Sequence, residues 1–194
     1  MDKRELRSRL RKTRVEMTDR ARRTAAQHLE QLAVESGLLL RYRRIGFYLP
    51  FRGEMDLLPL LNRALWLGKP CYLPVVPARF QRLLRFSRLT ERRSWYHNRF
   101  GIPEHWSPRQ LRARQLDLLF LPLVGFDEAG YRLGMGGGFY DASLAYLTRR
   151  KAWRKPLLVG VGYEWQKVEK VPHDPWDMPL DAVLTDKRLR WFKR

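Results

Sequence analysis

Residues 116–121 read Leu-Asp-Leu-Leu-Phe-Leu, five apolar side chains in six positions. A run so short and so apolar reads as a buried strand. Residues 45–49, 70–75, 157–161 and 182–184 have the same character, and residues 83–87 form a shorter stretch in a basic segment. Helical patterns lie between them. Residues 3–35 read as helix with a break at Thr18-Asp19, which offers an N-cap. Asp56 can cap a helix reaching Leu67, which Gly68 ends, and residues 139–149 form another. Strands alternating with helices indicate an α/β fold. The expected architecture is a single domain over residues 1–194: an open, mostly parallel sheet flanked by helices, with a long basic N-terminal helical segment. Ligands of such sheets bind beyond the carboxyl ends of the strands. Gly53-Glu54, the stretch after residue 121 and residues 164–166 all fall there.

The stretch after residue 121 carries the chemistry. Gly130-Tyr-Arg-Leu-Gly-Met-Gly-Gly-Gly-Phe-Tyr-Asp141 holds five glycines, one arginine and one aspartate in twelve residues. Glycines let backbone approach a ligand, and a helix start presents unpaired N–H groups to an anion. Arg132 adds a planar, permanently charged fork for phosphate oxygens. Asp141 offers oxygen to the Mg²⁺ that accompanies phosphates. The run reads as a nucleoside triphosphate cradle, although it has neither the P-loop lysine nor the third glycine of the dinucleotide fingerprint. A ligand-free strand-to-helix turn is the plainer alternative.

Other residues narrow the choice. Lys3, Arg7, Arg11 and Arg14 recur at helical spacing on one side of the N-terminal segment, and Leu6, Leu10 and Met17 on another. That basic face is either a phosphate site or a solvated stripe. Thirty-nine basic against 20 acidic residues give a net charge of +19, a field that attracts polyanions. Residues 79–114 hold ten arginines, two glutamates and several aromatic rings, Phe100 among them. Such rings can stack on a pterin, on nucleic-acid bases or on the protein's own core. The single cysteine, Cys71, excludes an internal disulfide framework. The four histidines are scattered without ligand spacing. No apolar run approaches the ~20 residues of a membrane span, and the N-terminus has no apolar signal core. A soluble cytoplasmic protein is expected.

Several segments resemble, in order, those of the 5-formyltetrahydrofolate cyclo-ligase family. The specific part is Asp117-Leu-Leu-Phe-Leu-Pro-Leu-Val-Gly-Phe-Asp127 followed by the glycine run. Weaker matches are Lys3-x-x-Leu-Arg7, the stretch from Phe47 ending in Gly53-Glu-Met-Asp56, Gly101-Ile-Pro-Glu104 and Asp177-Met-Pro-Leu-Asp181. The resemblance implies ATP- and Mg²⁺-dependent closure of 5-formyltetrahydrofolate to 5,10-methenyltetrahydrofolate, through a phosphorylated formyl oxygen. It implies ATP contacts from Lys3, Arg7, Arg132, Leu133, Gly134, Met135, Gly136, Gly137, Gly138, Phe139 and Tyr140. Leu49, Glu54, Phe100 and Tyr140 would contact the folate, which can carry a polyglutamate tail. Asp141 and Asp181 would hold Mg²⁺, with Asp177 competing for the second position. Arg132 and Tyr140 are the catalytic candidates. Some members carry a lysine where Gly137 stands, so Arg132, Lys3 and Arg7 would carry more of the phosphate charge.

Two rival classes stay open on residue chemistry. A phosphosugar isomerase or CoA-transferase-like protein could use a glycine-rich phosphate loop without ATP. A basic nucleic-acid-binding module would explain the charge but not the glycine run.

Overall fold

The computed structural model describes residues 2–91, 94–149 and 156–192. Arg92 and Arg93 of the basic segment lie outside them. Two helices open the chain, α1 (Lys3–Glu16) and α2 (Asp19–Glu35). Asp2 caps the first by accepting from the Arg4 and Glu5 amides at 2.7 and 2.8 Å. Thr18 caps the second by accepting from Ala21 N at 3.2 Å, so the break falls where the sequence puts it. A short α3 (Leu38–Arg41) leads to β1 (Ile45–Gly46), α4 (Leu58–Trp66) and β2 (Cys71–Val75). The central segment forms β3 (Arg85–Arg88), β4 (Trp95–His97), β5 (Pro103–His105) and β6 (Gln110–Leu111). Then come β7 (Leu118–Pro122), β8 (Gly125–Phe126), β9 (Arg132–Leu133), α5 (Phe139–Leu144), β10 (Leu157–Val161), β11 (Ala182–Leu184) and β12 (Leu189–Trp191).

Eight strands form the main sheet in the order β12-β11-β10-β7-β1-β2-β3-β6. The central five, β11 to β2, are parallel; β12 pairs antiparallel with β11 at one edge, and at the other β3 pairs antiparallel with both β2 and β6. β7 shows why its sequence is continuously apolar. Leu118 and Phe120 pack with Leu29, Leu60 and Phe47 on the α2–α4 face. Leu119 and Leu121 pack with Phe86, Leu144 and Leu158 on the α5 face. Alternate side chains of a strand point to opposite faces, so a strand covered on both faces needs apolar residues at every position. Each such leucine contributes roughly 1.5–3 kcal/mol by leaving water. α1 stands apart from both layers, with Leu6 and Leu10 buried against Val124, Leu133 and Val171.

Several boundaries differ from the sequence expectation. The first strand keeps one pairing bond beyond Gly46, Phe47 N to Tyr72 O at 2.8 Å. The chain then leaves the sheet, because Leu49 and the loop after it turn to a cavity wall. Asp56 accepts from Leu58 N at 2.8 Å, although Leu57 holds the cap position of α4. The helix expected over 139–149 ends as α-helix at Leu144 and continues as a 3-10 turn, Ala145–Arg149. The β4–β5 and β8–β9 hairpins are additions that the strand pattern did not announce. No described helix is long and apolar enough to cross a membrane.

Candidate functional site

The parallel strands run, across the sheet, as the fifth, fourth, third, first and second in chain order. The order reverses between β7 and β1, and a crevice opens beyond the carboxyl ends of strands at such a switch point. A cavity of about 1080 Å³ lies there. Pro122 at the end of β7 and Leu49 after β1 both line it. So do Lys3, Arg7, Glu54 and Phe100, and every residue of the glycine run from Arg132 to Asp141.

The glycine run is shaped by its own backbone and by α1. β9 pairs with β8 and carries Arg132 and Leu133 into the wall. Gly136 and Gly138 then take φ values of +96° and +67°, which side-chain-bearing residues adopt only under strain. Gly138 is the N-cap of α5. From α1, Arg7 donates through Nε to Gly134 O at 2.8 Å, laying its guanidinium against Gly136. Arg132 has a side chain only 5% exposed. It donates to Met178 O at 3.0 Å and to Asp141 Oδ1 at 2.5 Å. Lys3 donates to Asp174 at 2.5 Å and to Asp177 at 2.8 Å. Burial acts against the Lys3 charge, but the two carboxylates outweigh it and raise its pKa. Asp177 is likewise held below the usual carboxylate range, its burial outweighed by Lys3 and the Asp174 amide.

Aromatic rings line the cavity beside the run. Phe100 sits at the tip of the β4–β5 hairpin, with its ring 6.2 Å from that of Phe139 in an edge-on arrangement. The Arg99 guanidinium lies 5.1 Å from the first ring centre and 5.8 Å from the second. The hairpin is set from inside by Glu104, which is 2% exposed. Glu104 accepts from Tyr96 OH, Asn98 Nδ2 and Val76 N at 2.6 to 2.8 Å. Asn98 in turn accepts from Phe100 N and Ile102 N at 2.8 and 3.1 Å. Glu54 closes the inner end. Burial pushes its carboxyl up to about 7 against the pull of Arg14 and of the Phe51 amide. Burial also raises the phenols of Tyr48 and Tyr140, so both stay neutral O–H donors.

Asp181 does not join these residues. It lies at the amino end of β11, where Oδ2 accepts from Leu158 N at 2.7 Å. The opposite, carboxyl ends of the strands border the cavity. Asp177, four residues earlier, lines it instead, along with Asp141. Asp141 keeps Oδ2 and Asp177 keeps Oδ1 without a hydrogen bond among the described residues. No group of three or more His, Cys, Asp or Glu assembles among the described residues. Asp141 is already paired with Arg132 and Asp177 with Lys3, and each retains one oxygen of the kind that Mg²⁺ takes alongside water and phosphate oxygens. Arg82 is a cation that the sequence reading passed over. It lines the cavity near Gly138, with Nη1 about 3.9 Å from where a Cβ there would stand. It is one of four arginines recurring every third residue, Arg79, Arg82, Arg85 and Arg88, and that spacing marks none of them above the others.

The fold and cavity define an α/β protein whose glycine run and aromatic residues line one crevice at the reversal of strand order. The family profile described as "5-formyltetrahydrofolate cyclo-ligase family" matches residues 1–186, and the chain belongs to that family. The 5-formyltetrahydrofolate cyclo-ligase of Haemophilus influenzae is 35% identical over 186 residues, covering 93% of this chain and 95% of its own. The solved 5,10-methenyltetrahydrofolate synthetase of Aquifex aeolicus superposes with a TM-score of 0.84 at 30% identity, covering 100% of this chain and 94% of that one. That of Mycoplasma pneumoniae shares the fold, with a TM-score of 0.73 at 24% identity over 96% of this chain and 99% of that one.

Proposed function

We propose that this protein closes 5-formyltetrahydrofolate to 5,10-methenyltetrahydrofolate, converting ATP to ADP and phosphate in the presence of Mg²⁺. The observation that carries the reading is one cavity lined by two unlike sets of residues. The glycine run with Arg7, Lys3 and Arg132 suits a triphosphate, and Phe100, Tyr140 and Glu54 suit a flat pterin with N–H donors on its edge.

A formyl oxygen is a poor leaving group, so it has to be activated. The formyl oxygen attacks the γ-phosphorus, and the bond to ADP breaks. The second folate nitrogen then attacks the formyl carbon and gives up its proton. The carbon–oxygen bond breaks, phosphate departs, and the amidinium of the methenyl product remains. No protein nucleophile is needed; the enzyme aligns two ligands and neutralises charge. Arg132 is the catalytic cation, already oriented by Met178 O and Asp141. Tyr140, a neutral donor lining the same cavity, orients the formyl group. Leu49 and Phe100 cover the ring faces, and Glu54 accepts from the pterin edge. Asp141 and Asp177 would hold Mg²⁺, which supplies charge neutralisation on the phosphates. The arginine-rich rim suits a polyglutamate tail, and consumption of ATP suits a cytoplasmic enzyme.

The direct test mixes the purified protein with 5-formyltetrahydrofolate, Mg²⁺ and ATP and follows the near-ultraviolet absorbance of the methenyl product. ATP-dependent appearance of that chromophore is expected; its absence from folded protein would overturn the reading. Asp141→Ala should lower turnover by about 100-fold or more while retaining the fold. Full activity in that variant would remove Asp141 from the site.

A further inference from the structure

Arg14 belongs to the basic spacing of α1, yet it is 1% exposed and lies behind the cavity wall. Its guanidinium meets both halves of the site. Nε donates to Arg52 O at 3.1 Å, in the loop that carries Glu54. Nη2 lies 3.7 Å from Met135 Sδ, in the middle of the glycine run. Nη1 stands 4.0 Å from Glu54 Oε1 and has no hydrogen-bond partner. The same loop rests on α1, since a Cβ at Gly53 would come within 3.0 Å of Arg14 O.

A buried guanidinium costs several kcal/mol unless an anion and hydrogen bonds compensate it. Here the anion is in place but one hydrogen bond is not made. Phe51 N donates to the other Glu54 oxygen at 3.2 Å. The other charged or titratable groups facing the pair are Arg11 from α1, Arg22 from α2, which donates to Arg14 O at 3.3 Å, Tyr48 after β1, Tyr140 from α5 and Tyr163 after β10. Each tyrosine is neutral, and Arg14, 4.0 Å away, is the cation that opposes the effect of burial on Glu54.

We infer that Arg14 is a positioning residue. It holds Glu54 as a carboxylate for the N–H donors of the bound pterin, and it ties that carboxylate to the glycine run through Met135. The inference rests on the folate reading above. A ligand edge that donates to Glu54 favours the ionised carboxylate, which strengthens its attraction to Arg14. The same guanidinium touches Met135, so filling one half of the site stiffens the other.

The test compares the parent protein with Arg14→Met, Arg14→Lys and Glu54→Gln, measuring turnover over pH 5.5 to 9 against each substrate separately. Arg14→Met should raise the folate KM about tenfold and lower kcat less. It should also move the acid limb of kcat/KM for folate about one pH unit upward. Arg14→Lys keeps the cation, so its acid limb should stay near the parent's. An unmoved acid limb in folded Arg14→Met would overturn the inference, as would an equal rise in both KM values with no change of profile. If Arg14→Met does not fold, Arg14→Gln takes its place, and carbon-13 NMR of the labelled Glu54 carboxyl compares it with the parent at rising pH. A Glu54 that titrates about one pH unit higher in Arg14→Gln supports the charge role; one that titrates as in the parent overturns it. No turnover in the parent would instead sink the folate reading, and the carboxyl titration would still decide the pairing.

Discussion

Glu54 behaves differently from what its residue type suggests. A glutamate in a loop is ordinarily solvated and ionised at neutral pH, but burial pushes this one up to about 7. Its folded pKa therefore exceeds the unfolded value. The stability linked to it is fully present below the unfolded pKa and is lost as pH rises through about 7. Glu54→Gln cannot ionise and escapes that loss. Without ligand, the Tm of Glu54→Gln minus that of the parent should grow between pH 5 and pH 8, by thermal scans in matched buffers. A constant difference would mean that Glu54 ionises normally. Arg82 faces the turn at Gly138. The run itself holds no lysine, and Arg82 is the neighbouring cation at its Gly138 turn. Arg82→Ala should raise the KM for ATP about fivefold and leave the folate KM within error. Equal effects on both substrates would put Arg82 outside the phosphate site.

Between elements, small buried groups hold the cavity lining in register. Ser143 Oγ in α5 accepts from Leu84 N at 2.8 Å and donates to Phe139 O at 2.7 Å. One hydroxyl thereby fixes the segment bearing Arg82 to the start of α5. Ser143→Ala leaves the Leu84 amide buried and unpaired, at a cost of about 1–3 kcal/mol. Urea unfolding should show that loss, together with a raised KM for ATP. An unchanged midpoint would show that the segment has another anchor. Glu104 does the same for the hairpin that bears Phe100. Gly-Ile-Pro-Glu was legible as a segment, but the convergence of Tyr96, Asn98 and Val76 on Glu104 was not, because β4 and β5 meet only after folding. The cap at Thr18 was readable for the opposite reason: it acts within three residues of itself.

At the scale of the whole molecule, a net charge of +19 surrounds a cavity suited to two anions. Such a field speeds encounter and is screened by salt. Raising ionic strength from about 0.05 to about 0.5 M should lower kcat/KM for both substrates and barely change kcat. A flat response would separate the charge from catalysis. The apolar strands and the glycine run were determined by sequence alone, since periodicity and residue type act over a few neighbours. So were the positions of Lys3, Arg7 and Asp141, through their motifs. The tertiary structure decided what depends on strand order. It put the reversal between β7 and β1, which brings Glu54 and the glycine run to one cavity. It also buried Arg14 behind that cavity and set Asp181 at the far, amino end of β11, leaving Asp177 at the cavity. A carboxylate's neighbours are fixed by which strand ends meet in space, and no local pattern encodes that.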